Sequence, residues 1–192
     1  TCLSEDMRND LMNLGCPTNK THKVPLCVDP EKFGYKERDL RSGETINILT
    51  VARFVEKKGL EYAIKAVAEL ETERNVRYSI AGDGQKREEI ENLITQLGAE
   101  DRINLLGWQR QEQISDLMDE SHIFMLPSVT ASSGDKEGTP TVLLEAQSAG
   151  LPIVSTYHAG IPEIVEDGES GILVPERDVE SLTAALEDLI DS

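Results

Sequence analysis

Apolar positions along this chain follow two periods that take turns. Ile46–Ala52 is an apolar run of strand length and predicts a buried strand. Lys58–Glu71 then carries Leu60, Ile64, Val67 and Ala68 at helical spacing. The alternation continues with strands at Val76–Ala81, Ile103–Leu106, Ile123–Leu126, Pro152–Thr156 and Ile172–Val174. Between and after them, Gln85–Leu97, Gln111–Asp119 and Asp178–Ile190 read as helices, the last capped by Asp178, and Pro162–Glu166 as a short helical turn. Ahead of this rhythm, residues 4–14 predict a short amphipathic helix with Leu3, Met7, Leu11 and Leu14 on one side. Residues 15–45, broken by Pro17, Pro25 and Pro30, read as a connection.

Strand, helix, strand, helix predicts an α/β, Rossmann-like parallel sheet with helices on both faces. Ligands of such folds bind at the carboxyl ends of the strands. That edge carries the loops Arg53–Gly59, Gly82–Gln85, Gly107–Arg110, Pro127–Gly138 and Tyr157–Pro162. The chain shows no internal repeat and no low-complexity segment.

One stretch combines a loop and a helix start with two carboxylates. In Glu137-Gly138-Thr139-Pro140-Thr141-Val142-Leu143-Leu144-Glu145, Thr139 is suited to an N-cap and Pro140 to the first helical position. Gly150 and Pro152 supply the stop. Glu137 then lies on the loop and Glu145 near the second helical turn. The free N–H groups of the helix start form an anion site, helped by the helix dipole. Gly138 lets a ligand come close to the backbone. Taken alone, the stretch reads as an ordinary capped helix with two solvated glutamates rather than a site; its neighbours along the chain overturn that.

The 192 residues suit one domain with a real core, at 39% hydrophobic and 29% charged. No apolar run reaches membrane-span length, and no secretory signal is visible. Cys2, Cys16 and Cys27 follow no metal-ligand spacing, and their odd number argues against a disulfide framework, so a cytoplasmic setting is expected. The chain opens at Thr1, without methionine, which reads as a piece of a longer protein. A net charge of −17 argues against nucleic acid as a partner. It also means that an anionic ligand needs a local positive pocket. Arg53, Lys57 and Lys58, just past the first strand, supply one: Arg grips a phosphate bidentately and Lys adds a point charge. Gly82-Asp83-Gly84 opens like a dinucleotide fingerprint, but Arg87 stands where the third glycine is required, which disfavours a nicotinamide enzyme and leaves a tight turn. His158 lies at the ligand edge, ahead of Gly160; His122 starts a strand and is expected to pack, and Trp108 to cover the core edge.

In order, Arg53…Lys58-Gly59, Gly82-Asp83-Gly84, Leu126-Pro127-Ser128, Glu137-Gly138-Thr139-Pro140 with Glu145-Ala146, Gly150-Leu151-Pro152-Ile153-Val154, Gly160-Ile161-Pro162-Glu163-Ile164-Val165 and Gly168…Gly171 form a specific series. Over residues 45–190 the chain resembles the C-terminal, donor-binding domain of a retaining family-4 glycosyltransferase of the GT-B fold. Residues 1–44, with Pro25-Leu26-Cys27-Val28-Asp29-Pro30…Phe33, resemble the interdomain connection, though without the usual Asn-Gly before Val-Asp, so no ligand role is given to them. The loop Val129–Lys136 is similar to the colanic-acid and exopolysaccharide branch.

The resemblance implies retaining sugar transfer from a UDP- or GDP-linked donor, without a metal or other cofactor. It implies Arg53 and Lys58 on the diphosphate, Glu145 on the ribose, and Glu137 on the donor sugar near its reacting carbon. Backbone groups around Gly138, Thr139 and Pro140 would face sugar and phosphates. It further implies a carbohydrate or lipid-linked acceptor held by an N-terminal domain outside this chain, no activity of these residues alone, and a full-length protein peripheral to the inner membrane. A nucleotide-sugar epimerase of the same architecture, or a nucleotide-binding module without catalysis, are the alternatives.

Overall fold

The computed structural model describes residues 1–38 and 43–191. The part of the expected connection at 39–42 lies outside the described residues. Six parallel strands form one sheet: β1 (Ile46–Val51), β2 (Val76–Ala81), β3 (Ile103–Gly107), β4 (Ile123–Leu126), β5 (Ile153–Thr156) and β6 (Gly171–Val174). The helices are α1 (Glu5–Asn13), α2 (Leu60–Glu69), α3 (Arg87–Gln96), α4 (Gln111–Glu120), α5 (Thr141–Ser148) and α6 (Val179–Asp191). Among the described residues no helix is long and apolar enough to cross a membrane.

The strand order is β3-β2-β1-β4-β5-β6. From β1 the chain winds outward to β3, then crosses back and winds outward through β4 to β6. Right-handed crossovers force the two halves onto opposite faces of the sheet. The burial pattern shows the same division. Ile46, Ile48, Tyr78, Ile80, Ile123 and Met125 face α2, α3 and α6 through Ile64, Val67, Ile90, Ile94 and Leu186. Leu49, Phe124, Leu126 and Ile153 face α4 and α5 through Met118, Leu143 and Ala146. Alternate strand residues therefore both meet apolar partners, which is why these strands read as continuous apolar runs. Each fully buried Ile, Leu or Phe contributes about 1.5–3 kcal/mol relative to exposure.

One buried polar chain crosses the inner strands. The Thr50 hydroxyl donates to the Met125 carbonyl and so accepts from the Tyr78 hydroxyl at 2.7 Å. Both hydroxyls are satisfied in the core, and burial raises the Tyr78 phenol well above its ordinary range.

The elements fall within a residue or two of expectation at most ends, including the Asp178 cap, whose carboxylate accepts from Ser181 N–H at 3.0 Å. Two starts differ. Lys58 does not open a helix: Glu56–Lys58 form a 3₁₀ turn, Gly59 turns left-handed at φ 63°, and α2 begins at Leu60. Thr139 is not a cap and Pro140 is not the first helical residue. Pro140 stays extended at φ −64°, ψ 113°, so the helix starts at Thr141 without a side-chain cap. A residue before proline is pushed toward extended backbone, which turns Thr139 away from the helix start. Its hydroxyl donates to the Leu3 carbonyl instead, at 3.3 Å.

Gly59 also brings the loop after β1 against the loop after β4. A Cβ there would lie 1.8 Å from the Pro127 carbonyl oxygen. Gly98 has nearly the same backbone, φ +62°, but open space around it. Gly98→Ala should therefore lose only the left-handed penalty, about 1–2 kcal/mol. Gly59→Ala should lose that and the loop contact, with a clearly larger fall in the urea midpoint. Equal losses would show that the two loops are not locked together there.

Candidate functional site

The helices change face between β1 and β4, and the crevice opens at the carboxyl ends of these two strands. One part, of about 340 Å³, is lined by Arg53, Lys58, Glu137, Pro140, Thr141 and Val142. It runs on into a second part of about 420 Å³ lined by Gly82, Asp83, Trp108, Gln109 and Ile114. Val51, Ala52 and Arg53 belong to both.

Arg53 lies two residues past the end of β1 and is exposed. Among the described residues no ion pair or hydrogen bond holds its guanidinium. Lys58 is different: its Nζ lies 3.0 Å from Glu137 Oε2, with the two side chains only 13% and 8% exposed. Lys57 Nζ stands 3.9 Å from Glu137 Oε1 and also binds Asp135 and the Lys136 carbonyl. Among the described residues, Glu137 Oε1 has no hydrogen-bond partner although it is buried. A buried carboxylate oxygen without a donor is costly and is the feature here that most needs a ligand.

Thr141 and Val142 begin α5 at the cleft wall. The helix has no side-chain cap, so its start, at the positive end of the helix dipole, is a source of N–H donors beside the cleft; the Leu143 N–H already donates to the Pro140 carbonyl at 3.1 Å. Glu145, one turn further, is half-buried. Burial raises its carboxyl above the ordinary range, and a hydrogen bond from Gln111 works against that rise. Gly138 turns its Cβ side toward Leu3 and Met7, each 3.4 Å from where a Cβ would be. That side of it is thus filled by the N-terminal segment.

Trp108 does not cover the core edge: 72% of it is exposed. The pairing of β2 with β3 shifts by one residue after Ile80, so that Ala81 pairs with Gly107. Such a bulge re-aims the residues that follow it, here placing the indole on the cleft wall. His122 packs as expected, its Nδ1 accepting from Asn47 N–H at 3.0 Å, and burial lowers its pKa.

His158 is fully buried beneath the cleft, not in it. Its Nε2 accepts from the Glu137 backbone N–H at 3.0 Å, and its Nδ1 is 2.6 Å from Glu176 Oε1. Glu176 also accepts from Thr130 N–H at 2.8 Å. Burial pushes the Glu176 carboxyl up, but the bonds from Thr130 and His158 outweigh it and hold it below the ordinary range. Nothing in the spacing of the sequence pointed to Glu176 or Thr130, which meet His158 only through the fold. Gly160 makes room close by: a Cβ on it would lie 2.6 Å from the Gly138 carbonyl oxygen.

The chain spans under half the length of the curated relatives it matches. Over 185 residues it is 41% identical to the amylovoran biosynthesis glycosyltransferase AmsK of Erwinia amylovora, covering 96% of this chain and 45% of that protein. Over 178 residues it is 40% identical to a protein described as a colanic acid biosynthesis glycosyltransferase, WcaL, of Salmonella typhimurium, covering 92% and 43%. The structure of Anabaena Alr3699/HepE in complex with UDP and glucose aligns with a TM-score of 0.85 at 22% identity, over all of this chain and 53% of that one. WaaG, a glycosyltransferase involved in lipopolysaccharide biosynthesis, aligns with a TM-score of 0.83 at 21% identity over the same shares. These structural likenesses show the GT-B type of fold. The family described as glycosyl transferases group 1 matches residues 34–192. By that match, which takes in the sheet, the cleft and both glutamates, the chain belongs to the glycosyl transferases group 1 family.

Proposed function

We propose that this chain is the donor-binding half of a retaining glycosyltransferase that builds an exopolysaccharide from a UDP- or GDP-linked hexose. The observation that carries the reading is Glu137: a carboxylate 8% exposed, with one oxygen lacking a hydrogen-bond partner, on the wall of a cleft that also holds a free Arg53. The donor diphosphate lies between Arg53, Lys58 and the uncapped start of α5, near Thr139 and Pro140. These groups supply positive charge where the leaving diphosphate gathers negative charge, so this reading calls on no metal. Glu137 accepts hydroxyls of the donor sugar and faces the positive charge that develops at its reacting carbon. Glu145 takes the ribose as an acceptor of two hydroxyls. Trp108, on the far wall, offers a face for the base. In the free protein Lys58 neutralises Glu137; with donor bound it turns to phosphate while the sugar occupies the carboxylate. The acceptor, a carbohydrate or lipid-linked sugar, belongs to the half of the relatives' length that this chain does not span. An epimerase finds no support in the relatives' names.

Calorimetric titration with UDP and GDP, against uridine and guanosine, tests the site. Arg53→Ala should weaken diphosphate binding by about 1.5–3 kcal/mol, leave nucleoside binding unchanged and leave the fold intact, since the side chain has no partner to lose. Lys58→Ala should weaken diphosphate binding similarly but also lower the melting temperature, because it strands a buried carboxylate. Loss of nucleoside binding in Arg53→Ala, or no loss of diphosphate binding in either, would place the diphosphate elsewhere.

The two glutamates separate in the full-length enzyme. Glu145→Gln should weaken nucleotide and donor alike, as uniform binding does. Glu137→Gln should leave diphosphate binding nearly intact and depress kcat more than donor affinity. The reverse pattern would exchange or abolish these roles.

Glu145 also predicts a pH dependence. Its folded-state pKa is raised above the ordinary 4.5, so the ionised form costs stability at neutral pH and the cost vanishes below that value. Glu145→Gln should therefore melt higher than the parent chain at neutral pH, and the gain should disappear on acidification through the carboxylate range. A gain that persists in acid would have another cause.

A further inference from the structure

We infer that His158 and Glu176 form a positioning pair that sets Glu137 in the cleft through one fixed imidazole tautomer; the inference rests on the reading of Glu137 as a donor-sugar contact. A backbone N–H can only donate, so Nε2, 3.0 Å from the Glu137 nitrogen, is unprotonated. The ring proton is then on Nδ1 and donates to Glu176 Oε1 at 2.6 Å. Glu176 is held in turn by Thr130 N–H at 2.8 Å and the Thr130 hydroxyl at 3.3 Å, and Arg177 donates to the Thr130 carbonyl.

One buried ring thus joins three loops. Thr130 and Glu137 lie at the two ends of the loop after β4, His158 follows β5, and Glu176 follows β6. Packing alone would be met by an apolar side chain at a site with no exposure, and would leave the Glu137 N–H without an acceptor. The backbone adds a second observation. Among the described residues only two non-glycine residues have positive φ: Ala159 at 46° and Arg177 at 65°. They directly follow His158 and Glu176. L-residues seldom adopt this conformation, and here it falls beside both members of the pair. Neither His158 nor Glu176 lines the cleft, so they act on a substrate only through Glu137.

Two substitutions divide the ring's roles. Glutamine places its side-chain oxygen near the Nε2 position and keeps the acceptor for Glu137; asparagine reaches only the Nδ1 position and keeps the bond to Glu176. With full-length protein, and UDP-glucose and GDP-mannose as donor probes, His158→Gln should retain most of the turnover. His158→Asn should lose about a hundredfold in kcat, while UDP or GDP affinity and donor KM move little. Equal losses in both variants, or none in either, would overturn the inference. Nitrogen-15 spectra of the unaltered protein supply a measurement that needs no variant to fold. A ring proton on Nδ1, with a slowly exchanging Glu137 amide, sustains the pair; a ring proton on Nε2 overturns it. Absence of both nucleotide binding and turnover in the unaltered protein would instead overturn the donor reading of Glu137, while the ring proton still decides whether the pair exists.

Discussion

A carboxylate is held nearly dry at the point where the sheet changes winding direction, and two lysines beside it offset part of the cost. Glu137 pairs with Lys58 at 3.0 Å and stands 3.9 Å from Lys57, yet among the described residues one of its oxygens has no hydrogen bond. Removing two charges from water is costly, and an ion pair recovers the cost only with good geometry and further hydrogen bonds. The geometry here is good and the hydrogen bonding is incomplete. An arrangement of this kind is poor for stability and useful for binding, since a ligand hydroxyl can complete what the fold leaves open.

Much of the surrounding structure serves to hold this pair in register. The loop bearing Lys57 and Lys58 and the loop bearing Glu137 are stitched together along their length. Glu56 accepts from Ser132 N–H and hydroxyl, Val129 N–H donates to the Lys57 carbonyl, and Lys57 binds Asp135. Gly59 allows the backbones to touch, and the His158 ring fixes the Glu137 end from below. The same stitching explains how a loop of a dozen residues without regular structure stays ordered.

Charge is distributed to the same end. The chain carries −17 overall, so its general field repels a diphosphate. Lys136 is spent on Asp6 and Asp10, and Lys23 on Glu163 and Glu5. Among the described residues Arg53 is left without an ion pair, at the cleft beside the uncapped start of α5. Positive charge at the cleft is therefore local and acts over only a few ångströms, where screening and the distant carboxylates matter least.

The sequence by itself determined the architecture, because apolar runs flanked by helical spacing admit few solutions other than a parallel sheet covered on both faces. It also brought Arg53, Lys58 and Glu137 to one crevice, since loops after parallel strands open at the same edge of the sheet; Glu145, inside α5, is half-buried and outside that lining. What depended on tertiary contact could not be read. Thr139 has the chemistry of a cap but gives its hydroxyl to Leu3, more than a hundred residues away. Trp108 looks like core cover, yet a one-residue shift between β2 and β3 turns it outward. Lys58 and Glu137 are 79 positions apart and meet because the strand order sets β1 beside β4. His158 was visible as a histidine at the ligand edge, but its partner Glu176 was not. A hydrogen bond to a buried ring leaves no spacing in the chain, and only the folded loops bring acceptor, ring and backbone amide into line.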